Sequence, residues 1–177
     1  KNPLDASAGW TAHTYTVVYS GNGATGGATA NSVHTYGAAK ALTKNGYTRS
    51  GYLFAGWSAS AGGGVAYVDG QSVLNLTAAA GGTVTLYAKW GTPVTLAFKN
   101  YDGATLASKT VAAGTRFGDI PGKPAPWRAG HTWGGSWYRR DGAVWTAAAS
   151  ITADTVALAK NPLDASAGWT AHTYTVV

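Results

Sequence analysis

KNPLDASAGWTAHTYTVV occupies Lys1–Val18 and returns, identical at all 18 positions, as Lys160–Val177. Counted from Lys1 to Lys160, the register repeats after 159 residues. Identity at a fixed period is the mark of an array, so the chain reads as one period plus the start of the next, cut from a longer tandem polypeptide. Each copy ends on Tyr-Thr-Val-Val. With Tyr19 this is an alternating β-branched and aromatic run, the pattern of a strand. Residues 1–14 ahead of it hold Pro3, Gly9 and small polar side chains, and read as a linker. Trp10, and equally Trp169, stands out there, because an indole gains burial by docking at a domain junction.

Composition narrows the class. Apolar residues reach 45%, ordinary for a globular chain, whereas charged residues are 11%, well below the usual quarter. The 25 glycines, with abundant Ala, Thr and Ser, favour turn-rich β structure over helical bundles. There is no Cys, which removes disulfides, thiol catalysis and Cys-ligated metals, and no apolar run approaches the ~18 residues of a membrane span. The net charge of +6 is spread over both halves instead of forming a stripe, so no nucleic-acid partner is expected.

Outward from Tyr15–Tyr19, Asn22-Gly23 reads as a tight turn. Ala28–Tyr36 reads as a returning strand, and Tyr36–Leu42 (YGAAKAL) as a short helix. Gly51–Trp57 (GYLFAGW) reads as a strand with Tyr52, Phe54 and Trp57 directed at the core. The triple glycine 62–64 lacks the Lys-Ser/Thr and the following helix of a phosphate loop, and reads as structural. Val65–Val68, Asp69-Gly70 and Ser72–Leu76 read as a hairpin, and Thr83–Trp90 (TVTLYAKW) as a strong closing strand.

The second half repeats the plan with other residues. Val94–Phe98 followed by Asp102-Gly103 answers Tyr15–Tyr19 followed by Asn22-Gly23, and Gly130–Trp137 answers Gly51–Trp57 with one residue inserted. Asp141-Gly142 answers Asp69-Gly70, and Thr155–Lys160 answers Val84–Lys89. The expected organisation is a linker at 1–14, a first domain at 15–90, a short linker at 91–93, a second domain at 94–160, and at 161–177 the linker and first strand of the next repeat, a copy of 2–18.

GYLFAGW with TVTLYAKW, after a strand and an Asn-Gly turn, resembles the Listeria–Bacteroides repeat, known as the B repeat of internalin-type surface proteins. The likeness covers nearly all of 15–90. VTLAFKNYDG, Pro121, Pro124, Trp137-Tyr138 and DTVALAK look like a diverged member, in which His131, the extra Ser136 and the lack of a terminal Trp depart from the pattern. The resemblance implies a β-rich α+β class, with two small β-grasp-like domains in tandem and one short helix or less in each. It also implies a bacterial cell-surface, extracellular setting, and it carries over no catalytic residues.

No G-x-S-x-G is present, and His13, His34, His131 and His172 have no partner at a telling spacing, so neither a hydrolytic triad nor a metal or cofactor site is expected. Lys89 and Lys160, in closing strands, are the candidates for intramolecular isopeptide bonds, which need a buried Lys beside an amide or carboxylate and a nearby acid; every acid in the chain is Asp. Among Trp127, Trp133, Trp137 and Trp145, flat rings with a polar edge suit sugar faces or a protein partner. Trp137 matches Trp57 and is expected in the core, leaving Trp127 and Trp145 as candidate contacts. The expected function is a non-enzymatic structural unit of a surface stalk, filament or adhesin array. Its partners would be neighbouring repeats, lateral copies, or a host or cell-surface protein or glycan, with binding through the second domain's Trp residues as the alternative.

Overall fold

The computed structural model describes residues 11–139, 142–152, 156–158 and 169–171. The chain divides into two compact units, one of residues 1–50 with 56–89 and the other of residues 51–55 with 90–177. Among the described residues, strand accounts for 43% and helix for 2%, which makes the protein β-rich.

The alternating run at the end of the leader forms β1 (Thr14–Ser20), which buries Tyr15, Val17 and Tyr19 on one face at period two. Asn22 and Gly23 turn the chain at φ of 44° and 89°, values that Asn and Gly tolerate best. Then follow β2 (Gly26–Gly27), β3 (Ser32–Thr35), β4 (Lys40–Ala41), β5 (Tyr47–Thr48), β6 (Leu53–Ser58), β7 (Ser72–Val73) and β8 (Thr83–Gly91). The main sheet has the order β3-β1-β8-β6. In it β1 runs antiparallel to β3 and parallel to β8, from Thr16↔Thr83 to Ser20↔Tyr87. Two small ladders, β2 with β5 and β4 with β7, complete this part. Its core holds Tyr15, Val17, Trp57, Leu86 and Ala88.

Thr92 alone separates β8 from β9 (Pro93–Lys99). After β9 come β10 (Thr105–Ala112), a single 3₁₀ turn η1 (Phe117–Asp119), β11 (His131–Trp133), β12 (Val156–Leu158) and β13 (Trp169–Ala171). Again the first strand lies between an antiparallel and a parallel neighbour, in the order β10-β9-β12, while β11 pairs with β13 in a separate ladder. Leu96, Phe98, Phe117, Ile120, Trp137, Trp145 and Ile151 form its core.

Three local expectations are corrected. Tyr36–Leu42 is not helical: Gly37 sits at φ 84°, and Lys40–Ala41 pair with Ser72–Val73. Seven residues gain too few helical bonds to repay nucleation, and a sheet partner was within reach. Residues 65–68 and 72–76 do not pair with each other. Tyr67 bridges Trp57 instead, and only the turn at Gly70 (φ 67°) survives from the expected hairpin. Tyr52 precedes β6 and is exposed, whereas Phe54 is half-buried and Trp57 fully buried.

Candidate functional site

The second unit contains a cavity of about 400 Å³ walled by aromatic rings. Phe117, brought in by η1, stacks on Trp145 at 5.2 Å and an interplanar angle of 13°. Trp137 packs edge-on to Phe98 at 5.0 Å and to Trp133 at 5.4 Å. Trp133 belongs to β11 and Trp145 follows the bridge Tyr138↔Val144, so three separate segments supply the walls. Gly118 completes the lining. A Cβ there would lie 2.8 Å from the Ala147 carbonyl oxygen, so the close approach of these two segments needs glycine.

The polar groups around the cavity are committed elsewhere. Lys123 donates to the carbonyls of Phe117 (3.2 Å), Gly118 (3.2 Å) and Ile120 (2.8 Å), and its ammonium lies 5.3 Å from the centre of the Phe117 ring. The Phe117 carbonyl also accepts from the Ile120 N–H at 3.4 Å, and the ammonium adds a donor to the carbonyls at the C-terminal end of the turn. The Trp133 indole N–H donates to the Ser136 carbonyl at 3.1 Å. Arg139 lies over Trp145 at 5.1 Å, on the ring's electron-rich face. The cavity therefore offers ring faces more than free donors, a surface suited to an apolar or C–H-rich ligand face.

The first unit holds a buried polar chain. The Thr43 N–H donates to the Tyr19 hydroxyl (2.8 Å), which lies 3.0 Å from the Ser32 hydroxyl, itself 2.9 Å from His34 Nε2. His34 is fully buried and stacked on Tyr15 at 5.4 Å. Burial, and secondarily the charge of Lys40, push its pKa below the ordinary 6.5, so the ring is held neutral. These contacts tie β3 to β1. Among the described residues, no group of three or more His, Cys, Asp or Glu could hold a metal ion.

Residues 15–89 match the Listeria-Bacteroides repeat domain. The match runs from β1 into β8, and residues 90–177 lie outside it. This repeat family is typical of bacterial surface proteins. No curated protein and no solved structure matches the chain. Among the described residues, no helix is long and apolar enough to cross a membrane.

The residues singled out from the sequence are scattered by the fold. Trp145, expected as an outward contact, is 5% exposed and lines the cavity. Trp127 is 63% exposed and does not line the cavity, so the two form no common face. Trp137 is in the core, as its match to Trp57 implied. Lys89 is half-buried in β8, with no Asp or Asn bonded to it among the described residues. Trp10, Lys160 and the Trp169 side chain lie outside the described residues, while the Trp169 backbone pairs within β13. Phe117 and Lys123 were missed. The Phe-Gly-Asp-Ile-Pro-Gly-Lys stretch carries no periodic pattern, and a lone Lys gives no sign that it will cap a turn.

Proposed function

We propose that the chain is a load-bearing structural unit of an extracellular bacterial surface array, a stalk, filament or adhesin shaft, built of β-grasp-like domains in tandem. The observation that carries this reading is the parallel pairing of first and closing strands, β1 with β8, which recurs as β9 with β12. Parallel neighbours place the start of one strand and the end of the other at opposite ends of the sheet. Tension along the chain then loads the hydrogen bonds between them together, in shear. Each bond contributes only ~1 kcal/mol net, so resistance comes from simultaneous loading. The chain holds no Cys, and this device needs no disulfide. On this reading the chain acts without catalysis and without a cofactor, and its first partners are neighbouring repeats. Pulling tandem copies by force spectroscopy tests it: a regular sawtooth with high peaks is expected, and low, featureless unfolding would contradict it.

The aromatic cavity of about 400 Å³ supports a second reading, in which the second unit binds a glycan or partner protein through Phe117, Trp133 and Trp145. Titration with soluble cell-wall and host-type oligosaccharides, followed by the indole N–H resonances, tests it. Saturable shifts of Trp133 and Trp145 support the reading, and their absence across the panel removes the glycan form of it.

A further inference from the structure

β11 is a prepared edge. His131 follows a tight turn in which its N–H bonds to the Arg128 carbonyl (3.1 Å), with Gly130 at φ 71°. Trp133, at the other end of the strand, is anchored by Trp137 and the Ser136 carbonyl. The strand laid along this edge is β13, in the register His131↔Ala171, Thr132↔Thr170, Trp133↔Trp169.

Those three partner residues belong to the second copy of the leader. In the first copy the same positions are Trp10, Thr11 and Ala12, within 18 identical residues. Thr11 and Ala12 are exposed and lie in no strand. The same segment is therefore strand-paired in one copy, while in the other its described residues are free of any strand. A ladder is read through backbone groups and identical side chains. Whatever seats residues 169–171 on β11 would seat residues 10–12 of another molecule equally well.

We propose that the β11 edge is a docking site for a second copy of this chain, whose leader residues Trp10–Ala12 add to it as a strand in the register Trp133↔Trp10, Thr132↔Thr11, His131↔Ala12. The proposal rests on the array reading, in which each leader seals the edge of the unit before it. It adds that the seal can be exchanged between molecules. The contact is heterologous, with an edge on one copy and a leader on the next, so it propagates head to tail. Within one chain the covalently attached β13 competes at an effective concentration on the order of millimolar. Exchange therefore becomes visible only when β13 is blocked or the competing leader is abundant.

The test uses the full chain carrying Thr170→Pro and Ala171→Pro. Adjacent prolines remove a ladder donor whichever of the two faces β11. Amide exchange at His131–Trp133 should rise about tenfold or more in dilute solution and fall back when a peptide of residues 1–18 is added at millimolar concentration. A peptide carrying Thr11→Pro and Ala12→Pro should have no effect. By sedimentation, the blocked chain should associate as concentration rises, and a chain blocked at both leaders should remain monomeric. Failure of the 1–18 peptide to restore protection, or equal association of the doubly blocked chain, overturns the proposal. Should the substitutions also release β9 and β10, a paramagnetically tagged 1–18 peptide decides instead, added to the unmodified chain well above the millimolar effective concentration of β13. Broadening confined to His131–Trp133 supports strand exchange, and unbroadened resonances there refute it. Either failure leaves the array reading standing, since that depends on the pulling curve.

Discussion

Trp145→Ala removes an indole that is 5% exposed, stacked on Phe117 at 5.2 Å and covered by Arg139 at 5.1 Å. Truncating a buried Trp to Ala costs about 3–5 kcal/mol, the transfer term plus the cavity left behind. Here the new void would merge with the existing cavity of about 400 Å³, because Trp145 already forms part of its wall. Access to water through that opening favours the upper part of the range. Small domains are stable by about 5–15 kcal/mol in all, so the variant would lose a large share of that. At roughly 4–8 °C per kcal/mol, the second unit's melting temperature should fall by about 12 °C or more. Near-UV circular dichroism on heating reads this, with the protection of β9 and β10 amides reporting the unit separately. Trp127→Ala is the control: its ring is 63% exposed, and the change should stay within about 0.5 kcal/mol. A Trp145→Ala chain that melts with the wild type would refute the assignment of Trp145 to the core.

Gly56→Ala should destabilise the first unit by on the order of 2 kcal/mol or more, because φ is 139° and a Cβ would sit 2.6 Å from Val65 Cγ1 and 2.7 Å from the Tyr67 oxygen; denaturant titration measures it. Lys123→Met keeps the apolar stem but removes the donor to the Gly118 and Ile120 carbonyls, while that of Phe117 keeps the Ile120 N–H, and should cost about 2 kcal/mol in the same assay. His34 is held neutral in the fold, so the unfolded chain takes up its proton first as pH falls. Its contribution is whole above pH 6.5 and declines below it, toward the lowered folded pKa. Thermal melts of the wild type should show that decline, and His34→Gln should flatten it.

The long strands were legible because both signals agree there. Thr14–Ser20 and Thr83–Gly91 combine β-branched and aromatic residues with strict alternation, and the burial of Tyr15, Val17 and Tyr19, then of Leu86 and Ala88, follows that alternation. The Asn22-Gly23 and Asp102-Gly103 turns were legible for a separate reason, since they need residues that accept positive φ. The partners of short segments were not. Lys40–Ala41 pair with Ser72–Val73 across some thirty residues, and nothing local in Ala38–Leu42 announces it, so helix propensity misled. Burial in β6 does not alternate: Gly56, at φ 139°, is buried together with Trp57 and Ser58, so a period-two pattern could not place the side chains of this strand.

The candidate site was half legible. A group of Trp residues between 127 and 145 marked the region, and Trp133, Trp137 and Trp145 do meet around one cavity. Which of them face outward depends on η1, whose Phe117 covers Trp145, and on β11, which carries Trp133. Neither element shows a periodic signal, because a 3₁₀ turn of three residues and a strand of three residues are too short to display one. Lys123 was invisible for a different reason: its role is set by three carbonyls gathered by the turn rather than by another side chain.

Load-bearing by shear is tested most directly by pulling the first unit in two directions. The chain contains no Cys, so pairs of introduced Cys residues can place handles at chosen strand ends. Handles at Thr14 and Lys89 pull β1 against β8 along their length, loading the pairs from Thr16↔Thr83 to Ser20↔Tyr87 together. Handles at Thr14 and Thr83 pull from the shared end and open the same ladder one bond at a time. A rupture force several times higher in the first geometry is the predicted result, on a ladder whose bonds contribute only ~1 kcal/mol each. Equal forces in the two directions would contradict the account.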